Sequence, residues 1–400
     1  MKILHTADWH IGKKLKGIPR IQEFTEVLQE IVRIAATENV DCIIVAGDIF
    51  DTYTPSADAV ELFNKTIIQI RKSDIELVLI AGNHDSPKML QANSPILKEL
   101  GVHIIANINA FGELDDNIIR INKNNEKLHI AAIPWVNEST ITRVSANRMN
   151  QTEQQAGALY SELLSGIYHD LTEALDDDAI KILSSHVLIN EAKIREANKQ
   201  EDISERRISL DKVAYGIQSS QLPKQLNYIA LGHIHQPQEI IHDCPVHYAG
   251  SILQLSFAEA EQEKYVNIID CSPTTLAKIK KIPLKSGKRL KEIKGQYNEV
   301  IEIAKQHIDK FIKITITDEQ PPKDYRSIIE KKLPNVIDIR VENTKIKEIK
   351  SRNKISKQLS DTQLYEEYLN ERTQSTNKKK KEKIELFRQL LAEAIQDEAN

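Results

Sequence analysis

Five times before residue 236, a short apolar run stops on aspartate, asparagine or histidine. Lys2–Thr6 leads to Asp8 and His10. Asp41–Ala46 leads to Gly47-Asp48-Ile49-Phe50-Asp51, and Glu76–Ala81 to Gly82-Asn83-His84-Asp85. Lys181–Ser185 leads to His186, and Tyr228–Leu231 to Gly232-His233-Ile234-His235. Runs this short and rich in branched residues, three of them closed by glycine, read as buried strands. In open α/β sheets, ligands bind outside the carboxyl ends of the strands. The pattern therefore predicts one sheet edge that gathers carboxylates and imidazoles.

Helical spacing fills the gaps between the first three runs. Ile21–Glu38 places Phe24, Val27, Leu28 and Ile31 on one face, and Ser56–Arg71 places Val60, Phe63 and Ile67. Strand, helix, strand, helix, strand is the order of parallel pairing with right-handed crossovers. A further helix spans Lys88–Leu100. Strands follow at His103–Ala106, Asn117–Ile121 and Leu128–Ile133, with Val246–Ser251 and Tyr265–Ile269 completing the sheet. Residues 137–178 are polar and helical and read as a surface excursion; residues 190–222 read as an irregular loop with one charged helix.

A second domain is expected from about Cys271. Lys278–Leu284 alternates basic and apolar residues as a strand would. Val300–Phe311 (helix), Ile312–Thr317 (strand), Asp324–Lys332 (helix) and Val336–Val341 (strand) make a small split βαβ-like module. Lys345–Gln358 reads as a charged linker, followed by short helices at Asp361–Glu371 and Lys378–Gln396. The expected division is 1–270, 271–345 and 346–400.

Charge follows that division. Residues 1–270 carry a net of −13, residues 271–350 a net of +8, and the whole chain −4. An acidic half suits bound cations and a basic segment suits a polyanion, although charge alone favours a solvated surface. The three cysteines imply no disulfide framework. No apolar run reaches membrane-spanning length and no signal-peptide pattern opens the chain, so a cytoplasmic protein is expected.

The strand ends carry the chemistry. Spacing of two in Asp8-x-His10 and His233-x-His235 puts both side chains on one side of an extended segment. Carboxylates and imidazoles with one amide oxygen suit borderline divalent ions such as Mn, Fe or Zn, and the lack of thiolates disfavours a closed zinc site. The donors outnumber the needs of one ion. Two ions sharing a carboxylate can clamp the attacking and leaving oxygens of a phosphoester. Each motif alone reads more simply as a turn or capped loop. Their recurrence at five strand ends does not.

Asp8-x-His10, Gly47-Asp48-x-x-Asp51, Gly82-Asn83-His84-Asp85, His186 and Gly232-His233-x-His235 resemble, in order, the motif set of calcineurin-like metallophosphoesterases. Within that superfamily, Asp8–Gly12, Ser204-Glu205-Arg206, Ala230–Gln238, Tyr248–Ser251 and Ser256-Phe257 resemble the SbcD-type exonuclease subunits, bacterial counterparts of the Mre-type repair nucleases. Two segments depart from that pattern: Ile208–Lys212, where a glycine-rich stretch is expected, and the 137–178 excursion. The resemblance implies a four-layer α/β sandwich, with two mixed sheets flanked by helices, then a small α+β DNA-capping domain and C-terminal helices.

It also implies roles. One cation takes Asp8, His10, Asp48 and His235; the other takes Asp48, Asn83, His186 and His233, with Mn preferred and Mg possible. His84 faces the phosphate and Asp51 holds its ring. DNA contacts are expected from Lys13, Lys14, Lys16 and Arg20, and from the basic stretch containing Lys280, Lys281, Lys288 and Arg289. Ile384, Phe387 and Leu391 lie at helical spacing beside a lysine run. The implied partner for that stripe is the SMC-like ATPase SbcC, in a heterotetramer built on a homodimer. The expected activity is 3′→5′ exonucleolytic cleavage of duplex ends and endonucleolytic cleavage of hairpins or single strands. Rival readings are a small-molecule phosphodiesterase or protein phosphatase, and a non-catalytic DNA-tethering subunit.

Overall fold

The computed structural model describes residues 1–108, 114–137, 153–193 and 216–342, together with Ile384, Leu386 and Phe387. The chain opens as the apolar pattern predicts: β1 (Lys2–Thr6), α1 (Ile21–Thr37), β2 (Cys42–Ala46), α2 (Ala57–Lys72), β3 (Glu76–Ile80), α3 (Pro87–Glu99) and β4 (Val102–Ile105). These four strands pair in parallel. β11 (Tyr265–Ser272) and β12 (Thr275–Pro283) extend the sheet antiparallel beyond β1.

The second sheet takes β5 (Ile118–Lys123), β6 (Glu126–Ile133), β7 (Ile180–His186), β8 (Tyr228–Gly232), β9 (Gln238–Ile240) and β10 (Val246–Tyr248), in the order β5-β6-β7-β8-β10-β9. The helix α4 (Glu153–Glu173) connects β6 to β7.

Continuous apolar runs are needed because both faces of each sheet are covered. In β1–β3, Ile3, Ile44, Val78 and Ile80 face Leu128, Ile130 and Ile182 of the other sheet. The intervening residues Leu4, Ile43, Val45, Leu77 and Leu79 pack on Phe24 and Leu28 of α1 and Phe63 of α2. Each such side chain contributes about 1.5–3 kcal/mol on burial. The outer face of the second sheet packs on α4, so the order is helix, sheet, sheet, helix: the expected four-layer sandwich.

Two expectations are corrected. The 137–178 stretch is not all surface excursion: Tyr160, Leu164, Tyr168 and Leu171 of α4 are buried against the second sheet. Aromatics carry part of that stripe, so a scan for aliphatics undercounts it. Lys278–Leu284 does not open the small module. Most of it lies in β12, which forms a hairpin with β11 and edges the first sheet, straddling the boundary expected at residue 270.

The small module is β13 (Leu290–Gly295), α5 (Tyr297–Lys305), β14 (Phe311–Ile316), α6 (Tyr325–Lys332) and β15 (Val336–Val341), its sheet ordered β13-β14-β15. Leu290 and Phe311 pack with Leu15 and Phe257. The Leu290 N–H donates to Gln254 Oε1 at 2.6 Å. By contacts the chain divides into Met1–Thr315 with Pro322–Arg340, and Ile316–Pro321 with Val341–Asn400. Among the described residues, no helix is long and apolar enough to cross a membrane. The expected linker and the helix at Asp361–Glu371 lie outside the described residues, as does the Ser204–Arg206 motif.

Candidate metal centre

Hydrogen bonds between strand ends build the centre. The Asp8 N–H donates to Gly47 O at 3.0 Å and the His10 N–H to Asp48 O at 2.9 Å, extending the β1–β2 pairing past the sheet. Asp85 ties the third loop to the second: its buried carboxylate accepts the N–H groups of Gly82, Ile49 and Phe50 at 2.9–3.0 Å. Ser86 then caps α3 by accepting from Met89 N–H, with Pro87 opening the helix. The Trp135 N–H donates to Ala81 O at 2.8 Å and the His233 N–H to Asp8 Oδ1 at 2.9 Å, joining the two sheets.

The approach is close enough to exclude side chains. A Cβ on Gly82 would land on the Asp48 carboxylate, and one on Gly232 on the Ala46 carbonyl. Asp8, His10, Asp48 and His233 have φ of 48°, 45°, 51° and 100°. Non-glycine residues at positive φ are uncommon, and strain of this kind gathers at functional sites.

All seven side chains expected as ligands converge. His10 Nε2 lies 3.0 Å from His235 Nε2 and 3.4 Å from Asp48 Oδ2. His186 Nε2 lies 3.0 Å from Asn83 Oδ1 and 3.4 Å from the same Asp48 Oδ2, and His233 Nδ1 lies 3.0 Å from Asn83 Oδ1. Asp48 thus stands between two groups of donors. Asp8, His10 and His235 offer atoms within 4.8 Å of one another, and so do Asp8, Asp48 and His186.

In three of these rings the second nitrogen stands beside an oxygen. His186 Nδ1 donates to Ala46 O at 2.8 Å; His10 Nδ1 lies 3.3 Å from Asp51 Oδ1; His235 Nδ1 lies 3.1 Å from Glu259 Oε1. Partners of this kind orient the ring and, with a cation bound, would leave the Nε2 lone pair to it. His233 Nε2 is buried with no hydrogen-bond partner. Asp8 Oδ2 is also buried with no hydrogen-bond partner. A buried acceptor left alone costs about 1–3 kcal/mol, which a cation would offset. On both observations the donor set fits divalent ions held by oxygen and imidazole.

Electrostatics agree. Burial opposes the charge on Asp48, but His186 and His10 outweigh it and hold the carboxyl well below its usual range. Burial would lower His186, but Asp48, Asp8 and the Ala46 carbonyl together push it up to about 9. Burial raises Asp8 to about 6 against the pull of His186 and His235. One consequence is testable without any cation. His186 is raised above its usual 6.5, so its contribution is complete below pH 6.5 and lost as pH rises through about 9. The metal-free protein should lose on the order of 3 kcal/mol over that window, checked by urea denaturation at several pH values.

His84 is half-buried at the rim, and its Nδ1 lies 2.9 Å from the Asp51 backbone carbonyl. This corrects the role expected of the Asp51 carboxylate. That group faces His10 Nδ1 and Lys13 Nζ, at 3.3 and 3.0 Å. Main-chain carbonyls leave no sequence signature, so the side chain was the only visible candidate.

The cations expected to meet DNA do not form one row. Arg20 is buried: it donates to both Glu23 oxygens and to Gln254 O, and lies over the Phe311 ring. The DNA role expected for it is corrected. Arg20→Ala should instead cost about 3 kcal/mol by breaking the buried pair with Glu23, the bond to Gln254 O and the packing on Phe311, measured by urea denaturation; an unchanged midpoint would contradict this. Lys13 pairs with Asp51, Lys16 with Asp338 and Lys280 with Glu38. Lys14 is exposed. Lys281 lies over Tyr265 and Lys288 over Phe311, while Arg289 donates to Leu284 O. Of the expected partner-binding stripe, Ile384 and Phe387 are helical and Leu391 lies outside the described residues.

Sequence reasoning missed Glu259, Lys264 and Trp135. Trp135 stacks on His233 with ring centroids 4.9 Å apart. None of the three sits in a spaced motif; only the neighbouring Ser256-Phe257 pointed to the segment.

The calcineurin-like phosphoesterase family model matches residues 1–237. A second model, described as Type 5 capsule protein repressor C-terminal domain, matches residues 286–394. The chain is 35% identical over 292 residues to the SbcD subunit of nuclease SbcCD from Bacillus subtilis, covering 72% of this chain and 71% of that one. It is 29% identical over 304 residues to the Staphylococcus epidermidis protein of the same name, covering 76% and 74%. A dimetal phosphatase structure from Danio rerio superposes with a TM-score of 0.36 and 9% identity, over 72% of this chain and 99% of that one.

Proposed function

The chain belongs to the calcineurin-like phosphoesterase family, in its SbcD-type branch, and from that membership we propose that it is the two-cation DNA nuclease subunit of an SbcCD-type complex. The observation that carries the chemistry is the convergence of seven donors from five strand ends around Asp48. In this reading Asp8, His10, Asp48 and His235 hold one cation, and Asp48, Asn83, His186 and His233 the other, with Mn preferred. When bound, the pair would acidify water and neutralise charge on the phosphoryl oxygens.

The remaining work falls to the protein. Asp85 holds the second and third strand-end loops together and so fixes the spacing of Asp48 and Asn83. The Asp51 carbonyl accepts from His84 Nδ1 and so fixes the ring beside His10. From the rim, His84 stabilises the phosphoryl group or protonates the departing 3′ oxygen. Lys14, Lys281 and Lys288 are exposed and suit backbone phosphates, which they neutralise without reading sequence. The SbcC-type ATPase, gripped by the C-terminal helix containing Ile384 and Phe387, would gate access in a heterotetramer built on a homodimer. We place the protein in the cytoplasm, at the nucleoid, with the small module from β13 to β15 capping the DNA and residues 346–400 binding the ATPase.

The deciding experiment measures cleavage of end-labelled duplex and hairpin DNA, with and without Mn and the partner ATPase. Mn-dependent shortening from 3′ ends is expected. Hydrolysis of a chromogenic diester with no DNA cleavage under any condition would replace this reading with a small-molecule phosphodiesterase.

A further inference from the structure

We propose that Glu259 is the positioning residue that aims His235 at the cation pair, with Lys264 anchoring it, so that these two residues set the affinity of one of the two cations. Neither belongs to the strand-end motifs. Glu259 sits at the end of the short turn Phe257–Glu259, and both residues are about 1% exposed. The inference rests on reading the centre as a two-cation site.

A buried carboxylate can only accept hydrogen bonds. Glu259 Oε1 lies 3.1 Å from His235 Nδ1, so the proton of that imidazole sits on Nδ1 and Nε2 presents its lone pair. That Nε2 meets His10 Nε2 at 3.0 Å. The second oxygen, Oε2, accepts from Lys264 Nζ at 2.5 Å and from Ser251 Oγ at 2.9 Å, which leaves the carboxylate no freedom to turn.

Lys264 grips the histidine from both ends. Its Nζ also donates to the backbone carbonyl of His235 at 2.8 Å, and to Gln262 Oε1 at 2.8 Å. One ammonium therefore fixes the main chain of the ligand and the group that orients its ring. The other imidazoles are oriented differently. His186 leans on a main-chain carbonyl, and His10 on the half-buried Asp51. Among the described residues, His235 is the expected ligand whose aim depends on a fully buried ion pair. A merely structural pair could pin the 251–264 segment equally well, but it would not need one oxygen turned onto the ring nitrogen.

The test counts cations by calorimetry with Mn, alongside the electron paramagnetic resonance spectrum of the loaded protein. Wild type is expected to take up two Mn per chain and show an exchange-coupled pair. Glu259→Gln should weaken one of the two by about 10–100-fold and leave isolated Mn at substoichiometric loading. Lys264→Met should shift the same cation in the same direction.

A folded Glu259→Gln variant with lowered thermal stability and two wild-type Mn affinities would overturn the proposal, leaving the pair as a structural pin. Should that variant fail to fold, nitrogen-15 spectra of the Mg-loaded wild type decide. A proton on His235 Nδ1 supports the proposal, and one on Nε2 overturns it. A wild type that takes up fewer than two Mn would instead sink the two-cation reading itself.

Discussion

Asp48→Asn is expected to lose Mn binding and slow DNA cleavage by more than the about 10²–10³-fold that follows removal of a single stabilising donor. The side chain is buried, and each oxygen has its own task. Oδ1 accepts the His84 N–H at 2.8 Å, while Oδ2 lies 3.4 Å from both His10 Nε2 and His186 Nε2. Asparagine keeps the volume and the bond from His84. In place of Oδ2 it offers an N–H₂ group, which has no lone pair for a cation and carries no charge. Both donor groups lose their shared member together, so the loss exceeds that of a ligand serving one cation. Calorimetric Mn titration beside a cleavage assay checks this, with circular dichroism to confirm folding. A variant that takes up two Mn and cleaves at a tenth of the wild-type rate would remove Asp48 from the bridging position.

His84→Gln is expected to divide binding from chemistry: both cations stay, and cleavage falls by about 10²–10⁴-fold, the range of a lost general acid. Its Nδ1 is held by a carbonyl and the ring stands at the rim. Its ring centroid is nevertheless only 4.8 Å from that of His10, and its donor atom lies within 4.8 Å of those of His10 and Asp48. Proximity therefore admits His84 as a ligand. The variant separates the roles: a ligand would lower Mn affinity when replaced, while a proton donor would lower the rate alone. Glutamine can still donate a hydrogen bond to a phosphoryl oxygen but cannot give up a proton. Full cleavage by the variant would argue for another acid.

Much of the sandwich was legible because burial on both faces writes itself as unbroken apolar runs. Cys42–Ala46 and Tyr228–Gly232 are buried throughout. The ligand candidates were legible because each follows such a run within a few residues. The errors share a different cause. Arg20 looks like any surface arginine beside three lysines, until Glu23, Gln254 and Phe311 close around it from three segments. β12 has a strand pattern, but nothing in the pattern says which sheet it joins; pairing with β11 decides that.

Taken alone, the order of residues determined which side chains could reach one sheet edge, because strand period and glycine-ended runs are local properties. What only the tertiary structure decided is how those side chains are held. The Ala46 carbonyl meets His186, the Asp51 carbonyl meets His84, and the Glu259 carboxylate meets His235, each from a different segment of the chain. A hydrogen bond across 140 residues, as between His186 and Ala46, leaves no periodic trace in either segment, so it exists as information only once the sheets have packed.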